Sequence, residues 1–337
     1  MRGVIVNSGV SNACTGERGM GDAEAMTHAA EQAAAANQGE FLVASTGIIG
    51  QYLPIKLIQR QTPRLIESLS PTGWGLFAKA IMTTDTVPKL ARRALRVSPG
   101  SGRSQRATIL GVAKGVGMLE PKMATMLAFV ATDYPLAPAQ ARRLVRRVAD
   151  GSFNCVTVDG DTSTSDTFVL MANGAALNRR DADPTLDAAF ETALTEVCRE
   201  LSRAIARDGE GAKHLITVEV SGARNADEAR AVAKSIANSN LVKTAVFGHD
   251  PNWGRICMAA GNGGVRFKPE EFSVRIQGKT VLSGGLPARF SRPALVRALN
   301  RDEVLIQVGI GNGKGRACVW TCDMTHDYIR INAEYTT

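Results

Sequence analysis

Helical and extended stretches alternate along this chain without a repeating unit length, and that irregular alternation constrains the fold more than any single motif. An Ala-rich stretch at 22–36 has the composition of a helix and stops before Gly39, and 40–44 then reads as a strand. Helical period returns at 54–69 through Leu57, Ile58, Leu65 and Ile66, and a short helix is expected at 74–82. Further helices are expected at 138–148, 184–208, 226–237 and 240–246, with 184–208 the longest. Strands are expected at 3–7, 154–158 and 215–220, and in the last third at 272–276, 304–309 and 317–321. A βα barrel would repeat at a regular length, and a dinucleotide fold would carry GxGxxG between a strand and a helix. Neither pattern occurs, so the expected fold class is α/β, a layered α/β packing with antiparallel sheet content. The 337 residues suffice for one large or two medium domains.

The net charge is +8, and the basic residues fall in groups. Arg92, Arg93, Arg96, Arg103 and Arg106 form one; Arg142, Arg143, Arg146 and Arg147 form another, at helical spacing. Both read as solvated faces. Nucleic-acid binding calls for such charge interleaved with exposed aromatics, and four Tyr and three Trp do not supply it. No nucleic-acid partner is expected, and a positive field of this kind attracts anionic metabolites. The six cysteines are dispersed without a CxxC pair or histidines at ligand spacing, so neither a metal site nor a disulfide scaffold is expected. No stretch has the length and apolarity of a membrane span, and no leader pattern opens the sequence, so a soluble cytoplasmic protein is expected. The Ser, Gly, Arg and Pro content of 98–105 predicts a surface loop, the basic segment 92–106 reading as long.

Three polar constellations can bear chemistry. Ala44-Ser45-Thr46-Gly47-Ile48-Ile49-Gly50 reads as a flexible turn after a strand, where glycine lets backbone N–H groups converge on a developing oxyanion. The second runs from Lys114 through Gly115, Gly117, Glu120 and Lys122 to Thr125, within a glycine-punctuated apolar stretch, 111–127, that fits buried strand and buried turn equally. A Thr in such a run is ordinarily a core residue bonded to nearby backbone, and becomes a nucleophile only with a base, for which a free α-amine on the same residue serves. The third is Gly248-His249-Asp250-Pro251-Asn252-Trp253-Gly254-Arg255, which reads as a binding loop or as a surface turn capped by Trp253.

These segments, in order, resemble the ornithine acetyltransferase family, also called glutamate N-acetyltransferase. The resemblance rests on Asn7-Ser8-Gly9 with Asn12-Ala13-Cys14-Thr15-Gly16, Ser45-Thr46-Gly47-Ile48-Ile49-Gly50, and Met82-Thr83-Thr84-Asp85-Thr86 with Pro88-Lys89. It continues through Ala113-Lys114-Gly115, Met123-Ala124-Thr125-Met126-Leu127, Asp161-Thr162-Ser163-Thr164-Ser165-Asp166 and Asp208-Gly209-Glu210-Gly211-Ala212. Asp250-Pro251-Asn252-Trp253-Gly254-Arg255 and Ile331-Asn332-Ala333-Glu334-Tyr335-Thr336-Thr337 complete it. Val10 and Ser11 depart from the family's usual Asn and Ala, and the family pattern places further residues before the segment that begins here at Met1.

The resemblance implies a layered α/β sandwich of the self-cleaving type, likened to N-terminal-nucleophile hydrolases but with its own topology. It implies a catalytic domain at 1–210, a smaller α/β domain at 211–330, and a tail at 331–337 that returns to the active site. Self-cleavage between Ala124 and Thr125 would free the Thr125 amine. Thr125 would then carry acetyl from N2-acetyl-L-ornithine to L-glutamate in a ping-pong cycle with no cofactor and no metal. Thr46 and Gly47 would form the oxyanion hole, and Thr83 or Thr84, Lys114, Thr125, Glu210, Asn332 and Thr337 would bind substrate, Lys114 meeting the carboxylate and Glu210 the ornithine ammonium. Asp85 would order the Thr83–Thr84 turn, and the 161–166 and 250–255 segments would be scaffold or subunit contact. The two cleaved chains would stay together as a heterodimer, paired into a heterotetramer. Alternative readings are a bifunctional enzyme that also takes acetyl from acetyl-CoA, a related aminopeptidase, and a non-maturing paralogue without activity.

Overall fold

The computed structural model describes residues 1–97, 105–120, 126–177 and 184–334. The expected loop at 98–105 therefore lies outside the described residues except at Gln105, which opens a strand.

The chain begins with a parallel pair, β1 (Gly3–Val10) and β2 (Phe41–Ile48), joined through helix α1 (Gly16–Ala33). Side chains alternate across this pair as strand geometry requires. Ile5, Phe41 and Val43 pack with Met26 and Ala30 of α1 and Ile55 and Ile58 of α2 (Ile55–Glu67). Val4, Val6 and Ala44 point the other way, onto Ala78 of α3 (Trp74–Ala80) and the next sheet.

That sheet has the order β3 (Lys89–Val97), β4 (Gln105–Lys114), β5 (Leu127–Thr132), β6 (Thr167–Ala172), antiparallel except for the parallel pair β5–β6. Strand β5 explains why its sequence is continuously apolar: Leu127 and Phe129 face α3 and the β1–β2 pair, while Ala128 and Val130 face α4 (Pro138–Asp150) and α5 (Pro184–Arg207). The basic segment expected as a loop is instead the hairpin partner strands β3 and β4, nine residues in register from Lys89↔Ala113 to Val97↔Gln105. Arg92 and Arg96 face solvent, and Arg93 pairs with Glu200 of α5 at 2.8 Å, so the arginines occupy the exposed positions of a paired strand.

The second core surrounds the sheet β10–β9–β8–β11–β7–β12, built from β7 (Leu215–Ala223), β8 (Ser273–Ile276), β9 (Lys279–Ser283), β10 (Leu286–Pro287), β11 (Glu303–Gly309) and β12 (Gly315–Cys322). Helices α6 (Ala226–Ala237), α7 (Asn240–Phe247), α8 (Trp253–Gly261) and α9 (Arg292–Leu299) cover it, and each starts on a side-chain cap: Asn225, Ser239, Asn252 and Ser291. Asn252 accepts from the Arg255 N–H, and its amide donates to Asp250, which also receives Arg292 at 2.9 Å. The Asp-Pro-Asn-Trp motif is thus a helix cap in this core. Helix α5 packs on β3 and β4 and also meets β12 of the second sheet, and a last helix, α10 (His326–Glu334), follows β12.

Two further segments depart from the sequence expectation. Residues 154–158 were expected as a strand, but Phe153–Cys155 is a 3-10 turn and Val156 makes a single bridge to Trp320. The hydrogen bonds of this stretch go to a nearby turn and to the second sheet, a partner no local pattern reveals. The supposed turn after β2 is the strand itself: Ser8↔Thr46 and Gly9↔Gly47 pair in register, so a neighbouring strand holds the polar stretch extended.

Candidate active site

A cavity of about 660 Å³ opens where the C-terminal ends of β1, β2 and β4 meet the first residues of β5 and β6, with α10 closing one side. It collects Thr46, Gly47, Thr83, Thr84, Lys114, Glu210 and Asn332, seven expected site residues from five separate stretches of chain. Thr125 and Ala124 of the expected cleavage site, and Thr337, lie outside the described residues.

Gly47 shows why its position needs glycine. Its φ is +130°, and a Cβ there would sit 2.2 Å from the Gly9 carbonyl carbon of the paired strand. Thr46 beside it is buried, and its hydroxyl lies 3.5 Å from Lys114 Nζ, at the outer limit of a hydrogen bond. Lys114 ends β4 and donates to Thr83 Oγ1 at 2.7 Å. Because an ammonium only donates, both threonine oxygens accept from it, and their O–H hydrogens are left to point elsewhere.

Beneath these groups lies a buried charge network. Asp85, fully shielded, lies 2.7 Å from Lys89 Nζ and 3.6 Å from Lys114 Nζ, and accepts the backbone N–H groups of Gly115 and Thr83. Lys89 also meets Asp208 at 2.6 Å. Burial alone would raise the Asp85 carboxyl, but Lys114, Lys89 and the Gly115 N–H outweigh it and hold the group below its ordinary range. Burial pushes the Lys114 ammonium down, against the pull of Asp85. Asp85 therefore orders the Thr83–Thr84 turn, as expected, and also anchors the lysine. Lys89 and Asp208 belong to motifs quoted from the sequence but were assigned no role there; their charge pairing across more than a hundred residues is visible only in the fold.

The opposite wall comes from the end of α5. The Glu210 N–H donates to Val116 O at 2.9 Å, and its carboxylate accepts from Asn332 Nδ2 of α10 at 2.8 Å. Gly117 passes so close that a Cβ would lie 2.5 Å from Glu210 Oε2. Thr325 Oγ1 donates to Gly211 O at 2.8 Å and ties α10 to this wall. Burial, then Asp159, Glu210 and Asp161, raise the Tyr328 phenol that faces the same space.

The 161–166 segment, expected to be scaffold or subunit contact, forms a side of the cavity. Asp159 just before it accepts the N–H groups of Met118 and Leu119 at 2.7 and 2.8 Å and so holds the turn that follows β4. Asp166 is the residue that sequence reasoning undervalued: among the described residues neither carboxylate oxygen has a hydrogen-bond partner, both are shielded from water, and burial pushes the carboxyl up to about 8 although Lys114 pulls it down. Its motif was visible, but its isolation was not.

A polar cavity of this size, with clustered hydroxyls, one buried lysine and several carboxyls, defines a small-molecule site for a charged polar ligand in a mixed α/β protein. A sequence model of the ArgJ family matches residues 1–337, and the chain belongs to that family. It is 45% identical to the arginine biosynthesis bifunctional protein ArgJ of Chlorobaculum tepidum over 337 residues, 99% of this chain and 81% of that protein. It is 44% identical to the glutamate N-acetyltransferase of Methanopyrus kandleri, over 100% of this chain and 86% of that one. Among solved structures, the arginine biosynthesis bifunctional protein argJ of Bacillus halodurans superposes with a TM-score of 0.58 at 42% identity, covering 61% of this chain and 98% of that one. The family resemblance read from the motifs holds, and so does the mixed α/β class.

No helix among the described residues is long and apolar enough to cross a membrane.

Proposed function

We propose that this chain transfers the acetyl group of N2-acetyl-L-ornithine to L-glutamate through an acetyl ester on Thr125, after cleaving itself between Ala124 and Thr125. The observation that carries the reading is the convergence of Thr46, Gly47, Thr83, Thr84, Lys114, Glu210 and Asn332 on one cavity, together with the names of the relatives. Met126, one peptide bond from Thr125, lines the same cavity.

In this reading the Thr125 hydroxyl attacks the Ala124 carbonyl, the amide becomes an ester, and water opens it. The freed α-amine, with an ordinary pKa near 8, then takes the hydroxyl proton when Thr125 attacks the acetyl carbonyl. Thr46 Oγ1, already accepting from Lys114, directs its own O–H to the developing oxyanion beside the Gly47 N–H. Lys114 meets the substrate carboxylate, and Glu210 meets an ammonium of ornithine. Ornithine leaves as the amine is reprotonated, and the glutamate α-amine removes the acetyl group. Thr337 completes the substrate contacts. Residues 1–210 act as the catalytic domain and 211–330 as the smaller one, and the cleaved chains remain paired, as a heterotetramer in the cytoplasm. The topology is the family's own variant of the self-cleaving nucleophile fold.

Denaturing intact mass tests the first step. Two fragments whose masses sum to the precursor plus one water, one beginning at Thr125, are expected, and a single full-length mass from folded, active protein overturns the mechanism. One equivalent of ornithine released without glutamate, and continued release only when glutamate is present, tests the second. Acetylation of glutamate from acetyl-CoA in the same preparation would establish the bifunctional alternative.

A further inference from the structure

The cavity has a charge problem. Among its described lining residues Lys114 is the one cation, set against Asp159, Asp161, Asp166 and Glu210. On the proposed reading, on which this inference rests, the same pocket receives ornithine, whose side chain ends in an ammonium, and then glutamate, which brings two carboxylates. Lys114 can neutralise one of those carboxylates. The other meets a wall of acids.

The strand register locates the group that faces this second end. Lys114 pairs with Leu127, and Leu127 pairs with Thr167, so Asp166 stands at the same end of the sheet as Lys114, two strands away. Two strand spacings make about 10 Å, a span that an extended amino acid with a charge at each end can bridge. Of the other acids, Asp159 serves backbone N–H groups and Asp161 is open to solvent, while Glu210, which the proposed reading already gives to the ornithine ammonium, accepts from Asn332. The Asp166 oxygens are shielded and have no hydrogen-bond partner among the described residues.

We infer that Asp166 is the specificity-determining group that lets one pocket hold, in turn, a side chain ending in an ammonium and one ending in a carboxylate. Opposite the ammonium it is ionised and accepts; opposite the carboxylate it is protonated and donates. The proton moves between Asp166 and water as one substrate replaces the other. A carboxyl raised to about 8 takes either state near neutral pH with little cost, which an ordinary aspartate would not. The charged and titratable groups among the described residues that share the cavity with it are Lys114 on β4, Asp159 and Asp161 on the loop leading to it, Glu210 after α5 and Tyr328 on α10. Lys114 alone among them pulls its value down, and burial outweighs that pull.

The test compares wild type with Asp166→Asn, whose amide is neutral and can still donate to a carboxylate. kcat/KM for N-acetylornithine should fall about 10- to 100-fold, the loss of one charge-assisted hydrogen bond, while kcat/KM for glutamate changes less than about threefold. Wild-type KM for glutamate should climb above pH about 8, where Asp166 ionises, and the variant's should not. Equal losses for both substrates, or none for either, overturn the inference while leaving the acetyl-transfer reading intact. Calorimetry on the wild-type protein in buffers of different ionisation heat gives an answer independent of turnover. At pH 8, glutamate binding should take up protons and ornithine binding should release them, a difference of about one proton. Identical proton counts overturn the inference even if no acetyl transfer occurs.

Discussion

Replacing Asp85 by Asn removes one negative charge from between two buried cations. In the native chain that carboxylate lies 2.7 Å from Lys89 and 3.6 Å from Lys114, with side-chain exposures of 0%, 1% and 9% respectively. Breaking a buried pair by deleting one partner costs about 3–5 kcal/mol, because the remaining charge stays desolvated. Lys89 keeps Asp208 at 2.6 Å, and Asn still offers an oxygen to one of the two backbone N–H groups, so the lower end of that range, about 3 kcal/mol, applies. For a chain this long that corresponds to a fall in Tm of roughly 4 °C. The pH dependence identifies the cause. Asp85 is held below its ordinary carboxylate value of 3.8, so its contribution is complete above that pH and is lost as pH falls through the depressed folded-state value. Thermal melts of both proteins from pH 7 to pH 3 should therefore show a deficit at neutral pH that shrinks on acidification. The exposed pair Arg147–Glu191 serves as control, with Arg147→Ala costing under about 1 kcal/mol. An Asp85→Asn deficit below about 1 kcal/mol at pH 7, or one unchanged at pH 3, would refute the reasoning.

Thr46→Val keeps the shape of the side chain and removes the O–H, and should lower kcat by about 10²–10³ with KM little changed; a loss confined to KM would remove Thr46 from the oxyanion site. Gly117→Ala should displace the Glu210 carboxylate, which a Cβ would approach to 2.5 Å, raising KM for N-acetylornithine about tenfold, while a melting curve shifts little because the displaced group is a side-chain end. Burial lowers the Lys114 ammonium from its ordinary 10.5, so on raising pH substrate affinity should weaken before a free lysine would titrate. A pH profile of KM that stays flat to pH 10.5 would exclude Lys114 as the carboxylate partner.

Much of the architecture is local and was legible without a structure. Helices such as α6 and α7 start at capping residues and carry an apolar face, so 226–237 and 240–246 are readable from neighbours in the chain. The ordered series of motifs was enough to identify the family and to name Thr46, Gly47, Thr83, Thr84, Lys114, Glu210 and Asn332 before their convergence was seen. Strand β3 and the 45–48 end of β2 depart from the sequence reading for one reason: charged, polar and glycine residues there read as loop, and pairing with β4 and β1 overrides that local signal. The Asp85–Lys89–Asp208–Lys114 network and the isolation of Asp166 lay beyond any sequence pattern. Residue type and spacing are properties of the chain, and they determined the elements and the inventory of reactive groups. Desolvation and charge pairing depend on atoms brought together from remote segments, so only the tertiary structure decided which lysine is neutralised and which aspartate has no partner among the described residues.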